Sequence, residues 1–129
     1  MLLGSVASMQ GTALVAQYAA TKAYLRVLAE GLWSELKPLG VDVLACCPGL
    51  VQTPTYAAGA PMKSRLAPAP MTPETVARHT FDALRRQPVL FAGLANRLGV
   101  LALAFLPRRT AIALVSSQTR AMYAPRPPR

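Results

Sequence analysis

The chain has 129 residues, the length of one domain, and 53% of its residues are hydrophobic. This composition excludes an intrinsically disordered protein, because disordered chains lack the apolar residues that a core requires. The formal net charge is +9, and residues 61–129 account for all of it with eleven Lys or Arg against two acidic residues.

The first predicted elements are a short strand and a long helix. Residues 1–4 form a strand stub, and the small residues at positions 5–11 predict a loop. Leucines then recur at spacings of three and four, which predicts an amphipathic helix over residues 14–37. Pro38 and Gly40 end this helix.

A short apolar run at residues 41–47 predicts a parallel strand that is buried on both faces. Its last two residues, Cys46 and Cys47, have the spacing of neither a metal site nor a thioredoxin motif. Neighbours in a strand point to opposite faces, which disfavours a bond between the two thiols. Two reduced cysteines beside an apolar strand indicate a cytosolic protein.

Residues 50–71 are rich in Ala, Pro and Met and predict a long loop with short helical turns. A loop of this length in a compact domain is usually a lid or a binding segment. We therefore expect residues 54–71 to form a substrate lid. Met62 and Met71 in this lid either contact substrate or pack against the protein.

A second helix is predicted over residues 72–86. Thr72 is a suitable N-cap, Pro73 fits the first turn, and Glu74 suits the positive end of the helix dipole. The predicted inner face consists of Val76, Thr80, Ala83 and Leu84. The single histidine of the chain, His79, lies on this helix, and we expect it to be solvated or part of the core rather than catalytic.

The remaining elements are a short strand and two helices. Residues 88–92 predict the strand, and residues 93–106 and 110–122 predict helices that Pro107 separates. The order of helix, strand, lid, helix, strand and helix is an α/β pattern.

The C-terminal half combines apolar and basic residues. Residues 98–106 are apolar but only about half as long as a membrane-spanning helix, and Arg97, Arg108 and Arg109 flank them. This pattern predicts either attachment to a membrane surface or an ordinary amphipathic helix. We therefore expect a cytoplasmic protein that is at most peripheral to a membrane. The basic charge fits nucleic acid, an anionic cofactor, anionic lipid or a solvated surface, and among these we expect no nucleic-acid partner.

Three residues near the N-terminus carry identifiable chemistry. Tyr18 and Lys22 lie four residues apart, so that the phenol and the ammonium group project from one helix face, and Ser5 lies shortly before them. A nearby ammonium group stabilises a phenolate, and a hydroxyl can share the substrate oxygen with it. Alone, a Tyr-x-x-x-Lys pair is more often an ordinary surface pair. Together, the three residues predict a proton-transfer site for an alcohol or a carbonyl.

Three stretches place this triad in a wider pattern. They are residues 4–11, residues 18–22 and residues 48–53, the last of which begins with Pro-Gly at the end of the predicted buried strand. Together they resemble the short-chain dehydrogenase/reductase family as far as about residue 56, and beyond that point only the layout matches. The resemblance implies a doubly wound Rossmann-type parallel sheet.

The resemblance also implies how one partial Rossmann-type domain is divided along residues 1–129. Residues 1–53 would hold the catalytic helix and the following strand, residues 54–71 the lid, and residues 72–129 the C-terminal helices and a short strand. The glycine-rich cofactor turn of the family, Gly-x-x-x-Gly-x-Gly, does not occur in the sequence. We therefore expect the chain to be the C-terminal portion of the fold, with the N-terminal cofactor-binding half missing.

The family assigns a role to each member of the triad. Tyr18 would be the general acid/base that exchanges a proton with the substrate oxygen. Ser5 would hydrogen-bond the same oxygen, and Lys22 would bind the nicotinamide ribose and stabilise the phenolate. Ser8, ten residues before the tyrosine, has the wrong spacing for the family and is expected to be a loop residue.

The remaining implied contacts are with the cofactor, NAD or NADP. Pro48, Gly49 and the backbone of Leu50 and Val51 would face the nicotinamide, and Thr53 would hydrogen-bond its carboxamide or a phosphate. The sequence does not indicate which of the two cofactors is used.

The resemblance therefore predicts an NAD(P)-dependent oxidoreductase that interconverts a secondary alcohol and a carbonyl. The lid composition favours a small apolar substrate, and a homo-oligomer is expected for the full-length protein. The alternative is a truncated, inactive relative that acts as an interaction or membrane-surface module.

Overall fold

The computed structural model describes residues 1–59 and 68–123. Within these ranges, three short parallel strands form one sheet in the order β1-β2-β3. They are β1 (Leu2–Leu3), β2 (Ala45–Cys47) and β3 (Val89–Phe91). Leu2 pairs with Ala45, and Ala45 pairs with Val89 on its other side. The α/β fold class is confirmed.

Helices make up most of the remaining described residues. They are α1 (Ala16–Leu36), α2 (Pro54–Gly59), α3 (Pro73–Ala83), α4 (Leu94–Ala104) and α5 (Arg108–Tyr123). Each predicted helix is present, with ends that differ from the prediction by a few residues. Part of the predicted lid, including Met62, lies outside the described residues.

Two sequence predictions of local structure need correction. The predicted loop at residues 5–11 contains a 3₁₀ helix, Val6–Met9, because the Ser5 hydroxyl caps its first turn. The predicted strand at residues 41–47 is shorter, because its partner strands offer two and three residues for pairing. Apolar composition predicted burial in this segment correctly, but it did not predict the length of the ladder.

The end of α1 follows the predicted signals. The helix passes into a 3₁₀ turn, Lys37–Leu39, in which Pro38 takes an early position. Gly40 then adopts the left-handed conformation with φ of 73°, which glycine reaches without a steric penalty.

The core lies on both faces of β2. One face, with Ala45 and Cys47, packs against α1 through Ala29 and Trp33. The other face, with Leu44 and Cys46, packs against Leu90 of β3 and against α3. The two cysteines are free and point to opposite faces, as the strand periodicity predicted. The sheet is thus covered on both sides.

The predicted start and inner face of α3 are confirmed. The Thr72 hydroxyl accepts a hydrogen bond from the Thr75 amide at 3.3 Å, and Glu74 occupies the first turn. Val76, Thr80, Ala83 and Leu84 face the core.

The last two helices bury polar residues. Asn96 is the buried residue of α4, and Ala111, Ser116 and Thr119 are those of α5. Leu94, Leu98 and Leu101 of α4 are exposed, whereas Val100 and Leu103 are partly buried, so both interpretations of this segment stay predictions. None of the helices in the described part of the chain combines the length and apolarity that a membrane span requires.

Candidate active site

A cleft of about 610 Å³ opens where β1 and β2 end. The two strands are parallel, so the segments that follow them, with Ser5 and Pro48, emerge at the same edge of the sheet. Ligands of open α/β sheets bind at this carboxyl edge. All of the predicted site residues line this one cleft: Ser5, Tyr18, Lys22, Pro48, Gly49, Val51 and Thr53.

Ser5 is held at the end of β1 by its own side chain. The residue is buried, and its Oγ accepts a hydrogen bond from the Ala7 amide at 3.2 Å. This bond uses a lone pair of the oxygen and leaves the hydroxyl hydrogen free to rotate. The hydroxyl can therefore donate to an oxygen atom in the cleft.

Tyr18 and Lys22 enter the cleft from the first turns of α1. The Lys22 Nζ atom lies 5.6 Å from the centroid of the Tyr18 ring. The same ammonium group donates a hydrogen bond of 2.8 Å to the Leu3 carbonyl of β1. This bond takes one of its three donors. The last residue of β1 thus fixes the lysine beside the tyrosine, whose side chain remains accessible.

The turn after β2 is tied to the serine segment by the backbone. The Gly4 amide donates to the Cys46 carbonyl at 2.7 Å, and the Val6 amide donates to the Pro48 carbonyl at 3.0 Å. These bonds extend the parallel ladder beyond the two residues of β1. They hold Ser5 opposite the Pro48–Gly49 turn.

Gly49 has a steric reason to be glycine. A Cβ atom at this position would lie 2.6 Å from Oδ1 and 2.7 Å from Nδ2 of Asn96. Asn96 is buried, and its Nδ2 donates a hydrogen bond of 2.6 Å to the Ala92 carbonyl. Sequence reasoning missed Asn96, because its contact with Gly49 is not visible in the sequence around it.

Thr53 and Val51 shape the far side of the cleft. The Thr53 hydroxyl accepts a hydrogen bond from the Tyr56 amide at 3.1 Å, which caps α2. Val51 forms a parallel bridge with Met71. The Met71 sulfur packs close to Gly93, which supports the packing interpretation of this methionine.

Comparisons with known proteins agree with this geometry. A family model described as short chain dehydrogenase matches residues 2–63. A 7beta-hydroxysteroid dehydrogenase from Clostridium sardiniense is 33% identical over 95 residues. The chain is a short-chain dehydrogenase/reductase relative. The resemblance in the sequence is confirmed.

The two proteins differ in extent. The match covers 74% of this chain but only 36% of the hydroxysteroid dehydrogenase, so the chain spans little more than a third of that relative. The residues that match the family model include Ser5, Tyr18, Lys22 and the Pro48–Gly49 turn. Their individual roles stay predictions.

The residues around the cleft fit the nicotinamide end of a dinucleotide. The Lys22 ammonium and the Thr53 hydroxyl are suitable partners for ribose and carboxamide groups. Pro48, Leu50 and Val51 offer an apolar wall to a flat ring. The short-chain dehydrogenase relative therefore has a donor set of the right chemistry at the edge of its sheet.

Ser8, the competing serine, points away from this cleft. It is buried, and its Oγ lies 3.9 Å from the Cys47 Sγ. Burial raises the pKa of the Cys47 thiol above its ordinary value, although the hydrogen bonds to Ser8 and to the Ser5 backbone lower it. Ser8 thus belongs to the packing beneath the site.

His79 lies on a second cleft, which has a volume of about 470 Å³ and lies between α3 and α4. Asp82, Arg86 and Arg97 also line this cleft. The histidine is partly buried and separate from the predicted site residues. Among the described residues, no group of three or more His, Cys, Asp or Glu is placed to hold a metal ion.

Proposed function

We propose that the protein is an NAD(P)-dependent oxidoreductase that interconverts a secondary alcohol and a carbonyl. The observation that carries this proposal is the shared cleft of Ser5, Tyr18 and Lys22 with the Pro48–Gly49 turn. The family match and the hydroxysteroid dehydrogenase relative support the same class of reaction.

Tyr18 acts as the general acid/base in this proposal. In alcohol oxidation, its phenolate oxygen accepts the hydroxyl proton of the substrate, and in carbonyl reduction its hydroxyl returns a proton to the substrate oxygen. Ser5 donates a hydrogen bond to the same oxygen and stabilises the charge that develops on it. The nicotinamide, when bound, supplies or accepts the hydride.

Lys22 stabilises the phenolate and orients the cofactor ribose. The Lys22 ammonium lies 5.6 Å from the centroid of the Tyr18 ring, on the side from which it can attract a phenolate. Tyr18 is 48% exposed, so that solvent screens much of this attraction in the free chain. Substrate and cofactor would exclude water from the cleft and so strengthen the attraction between Lys22 and the Tyr18 phenolate.

The cleft favours an apolar substrate. Leu3, Leu50, Tyr56 and Val76 line it in addition to the predicted site residues. The named activity of the relative makes hydroxysteroids the first secondary alcohols to test. Smaller aliphatic and aromatic ketones complete the panel and test for a less bulky substrate.

The decisive experiment measures turnover of the full-length protein with this panel by NAD(P)H absorbance. We expect Tyr18→Phe to reduce kcat by about 10²- to 10⁴-fold, because general acid/base catalysis is lost while the apolar ring stays in place. Lys22→Met should reduce kcat and raise the KM for the cofactor together.

Tyr24→Phe is the matched control, since Tyr24 is an exposed tyrosine on the same helix and lies outside the cleft. It should leave kcat and both KM values unchanged. Undiminished turnover in Tyr18→Phe would remove this residue from the mechanism. Absence of turnover in the wild type with every substrate and both cofactors would refute the proposed function.

A further inference from the structure

The outward surface of α4 carries an apolar stripe of Leu94, Leu98 and Leu101, which Phe105 continues at the C-cap of the helix. Spacings of four, three and four place these residues on one face of the helix. Their exposed fractions are 72%, 57%, 56% and 82%. Four large apolar side chains in a row on the solvent side form a continuous patch, whereas single exposed apolar residues are common on any protein surface.

The opposite face of α4 fixes this orientation. Asn96 is buried there, donates to the Ala92 carbonyl and contacts the backbone of Gly49. Rotation of the helix to bury the stripe would remove this hydrogen bond and the contact with the turn. Among the described residues, this packing leaves the stripe exposed.

Basic residues predominate around the stripe, although Asp82 lines the same cleft as Leu94 and Arg97. Residues 94–123 contain Arg97, Arg108, Arg109 and Arg120 and no Asp or Glu. Arg97 Nε donates to the Phe91 carbonyl at 3.0 Å, and Arg108 donates to the Met9 carbonyl at 3.3 Å, which holds these two cations near the helix. A second copy of this surface would bring like charges together, whereas an anionic surface would complement them.

We propose that α4 docks on an anionic lipid bilayer surface, with the apolar stripe at the boundary between headgroups and acyl chains. Basic residues beside an exposed apolar helix face are the pattern of interfacial helices. Each arginine near an anionic membrane contributes attraction that salt weakens. The eleven residues of α4 suit attachment to the surface rather than a span.

The test is flotation of the full chain with vesicles of phosphatidylcholine alone and of phosphatidylcholine mixed with phosphatidylserine. The wild type should bind the mixed vesicles at low salt and detach as salt is added. Leu98→Ser combined with Phe105→Ser should lower the partition coefficient by about tenfold or more, because two anchoring side chains lose their apolar surface.

Two further variants separate the apolar and electrostatic contributions. Phe81→Ser is the matched control, because Phe81 is 74% exposed but lies on α3 and outside the stripe, so binding should not change. Arg109→Gln should weaken binding by roughly fivefold, which corresponds to about 1 kcal/mol per cation. All of these positions are exposed, so unchanged thermal unfolding should show that the variants fold.

Three results would overturn the proposal. The first is no binding to phosphatidylserine vesicles at low salt. The second is an equal loss of binding in Phe81→Ser and in the double serine variant. The third is concentration-dependent dimerisation in sedimentation that the double serine variant abolishes, because a second copy would then cover the stripe.

Discussion

The sheet region and the C-terminal helices place their apolar residues in opposite ways. In β2, Ala45, Cys46 and Cys47 are buried, and the segments that follow the strands form the cleft. In α4 and α5, the buried residues are mainly polar, and Leu94, Leu98 and Leu101 of α4 face solvent. Hydrophobic burial therefore stabilises the sheet region, whereas buried hydrogen bonds contribute more to the attachment of the C-terminal helices.

The attachment of α5 shows how this second region is held. The Gln10 amide donates to the Ala111 carbonyl at 2.9 Å, and the hydroxyls of Thr12 and Thr119 meet at 2.9 Å. Buried hydrogen bonds contribute about 1 kcal/mol each and demand good geometry. Together with the buried Ala111 they specify where the helix docks, whereas Ile112 and Leu114 of α5 stay exposed.

The largest expected effect on stability comes from a substitution in the tightly packed sheet region. A Cβ atom on Gly4 would lie 2.5 Å from the Cys47 sulfur and 3.3 Å from the Cys46 carbonyl oxygen. Gly4→Ala should therefore lower the free energy of unfolding by about 1–3 kcal/mol, which urea denaturation measures.

The same substitution in open positions provides the control. A Cβ atom on Gly31 of α1 or on Gly99 of α4 would meet nothing within 4 Å. Alanine at either helical position should raise the free energy of unfolding by roughly 0.5–1 kcal/mol. If Gly4→Ala were as stable as these two variants, the contrast in packing between the regions would be refuted.

The hydrogen bond between Thr12 and Thr119 provides a test of the contact between the sheet region and α5. Thr119→Val keeps the shape of the side chain but leaves the buried Thr12 hydroxyl without this partner. We therefore expect the free energy of unfolding to fall by about 1 kcal/mol. Thr12→Val should cost a similar amount, and the double variant should cost clearly less than the two together.

A double-mutant cycle from urea denaturation measures this coupling. Thr21→Val is the control, since the Thr21 hydroxyl is exposed and bonds only locally to the Gln17 carbonyl. If the losses in free energy of unfolding in Thr12→Val and Thr119→Val were strictly additive in the double variant, this hydrogen bond would not be what attaches α5 to the sheet region.

The sequence predicted the sheet region and its cleft better than the orientation of the C-terminal helices. Helical spacing placed Tyr18 and Lys22 on one face, and the strand ends placed Ser5 and Pro48 at one edge, because these relations depend on local periodicity and on parallel order. The contact of Asn96 with a turn far away in sequence has no local signature. Such contacts arise only when the elements pack.

The orientation of α4 shows a second limit of sequence reasoning. Hydropathy identifies an apolar face of residues 94–105, but it does not indicate whether that face meets the protein or another surface. The buried Asn96 and the polar attachment of α5 decide this, and both depend on tertiary contacts. The Ser5 cap is a different case, because Ser5 accepts from the Ala7 amide only two residues away, and the predicted loop overlooked this local bond.

The smallest expected effect concerns the thiol beneath the site. Burial raises the pKa of Cys47, the nearby Cys46 raises it further, and Ser8, the Ser5 backbone and Arg26 lower it. Because the folded pKa lies above the unfolded value, the buried neutral thiol contributes stability that is fully present below the unfolded pKa. This contribution is lost as the pH rises through the folded pKa, at a rate of at most about 1.4 kcal/mol per pH unit.

The measurement is the free energy of unfolding of the wild type and of Cys47→Ala, from neutral pH into the alkaline range where thiols ionise. The advantage of the wild type over Cys47→Ala should shrink as the pH rises, because the unfolded wild type gains an ionised thiol that its folded form resists. Ser8→Ala removes a hydrogen bond that lowers this pKa, so the stability of this variant should continue to fall to a higher pH than that of the wild type. A difference between wild type and Cys47→Ala that stays constant over this range would show that the thiol is not desolvated, and the close packing of the sheet region would then have to be revised.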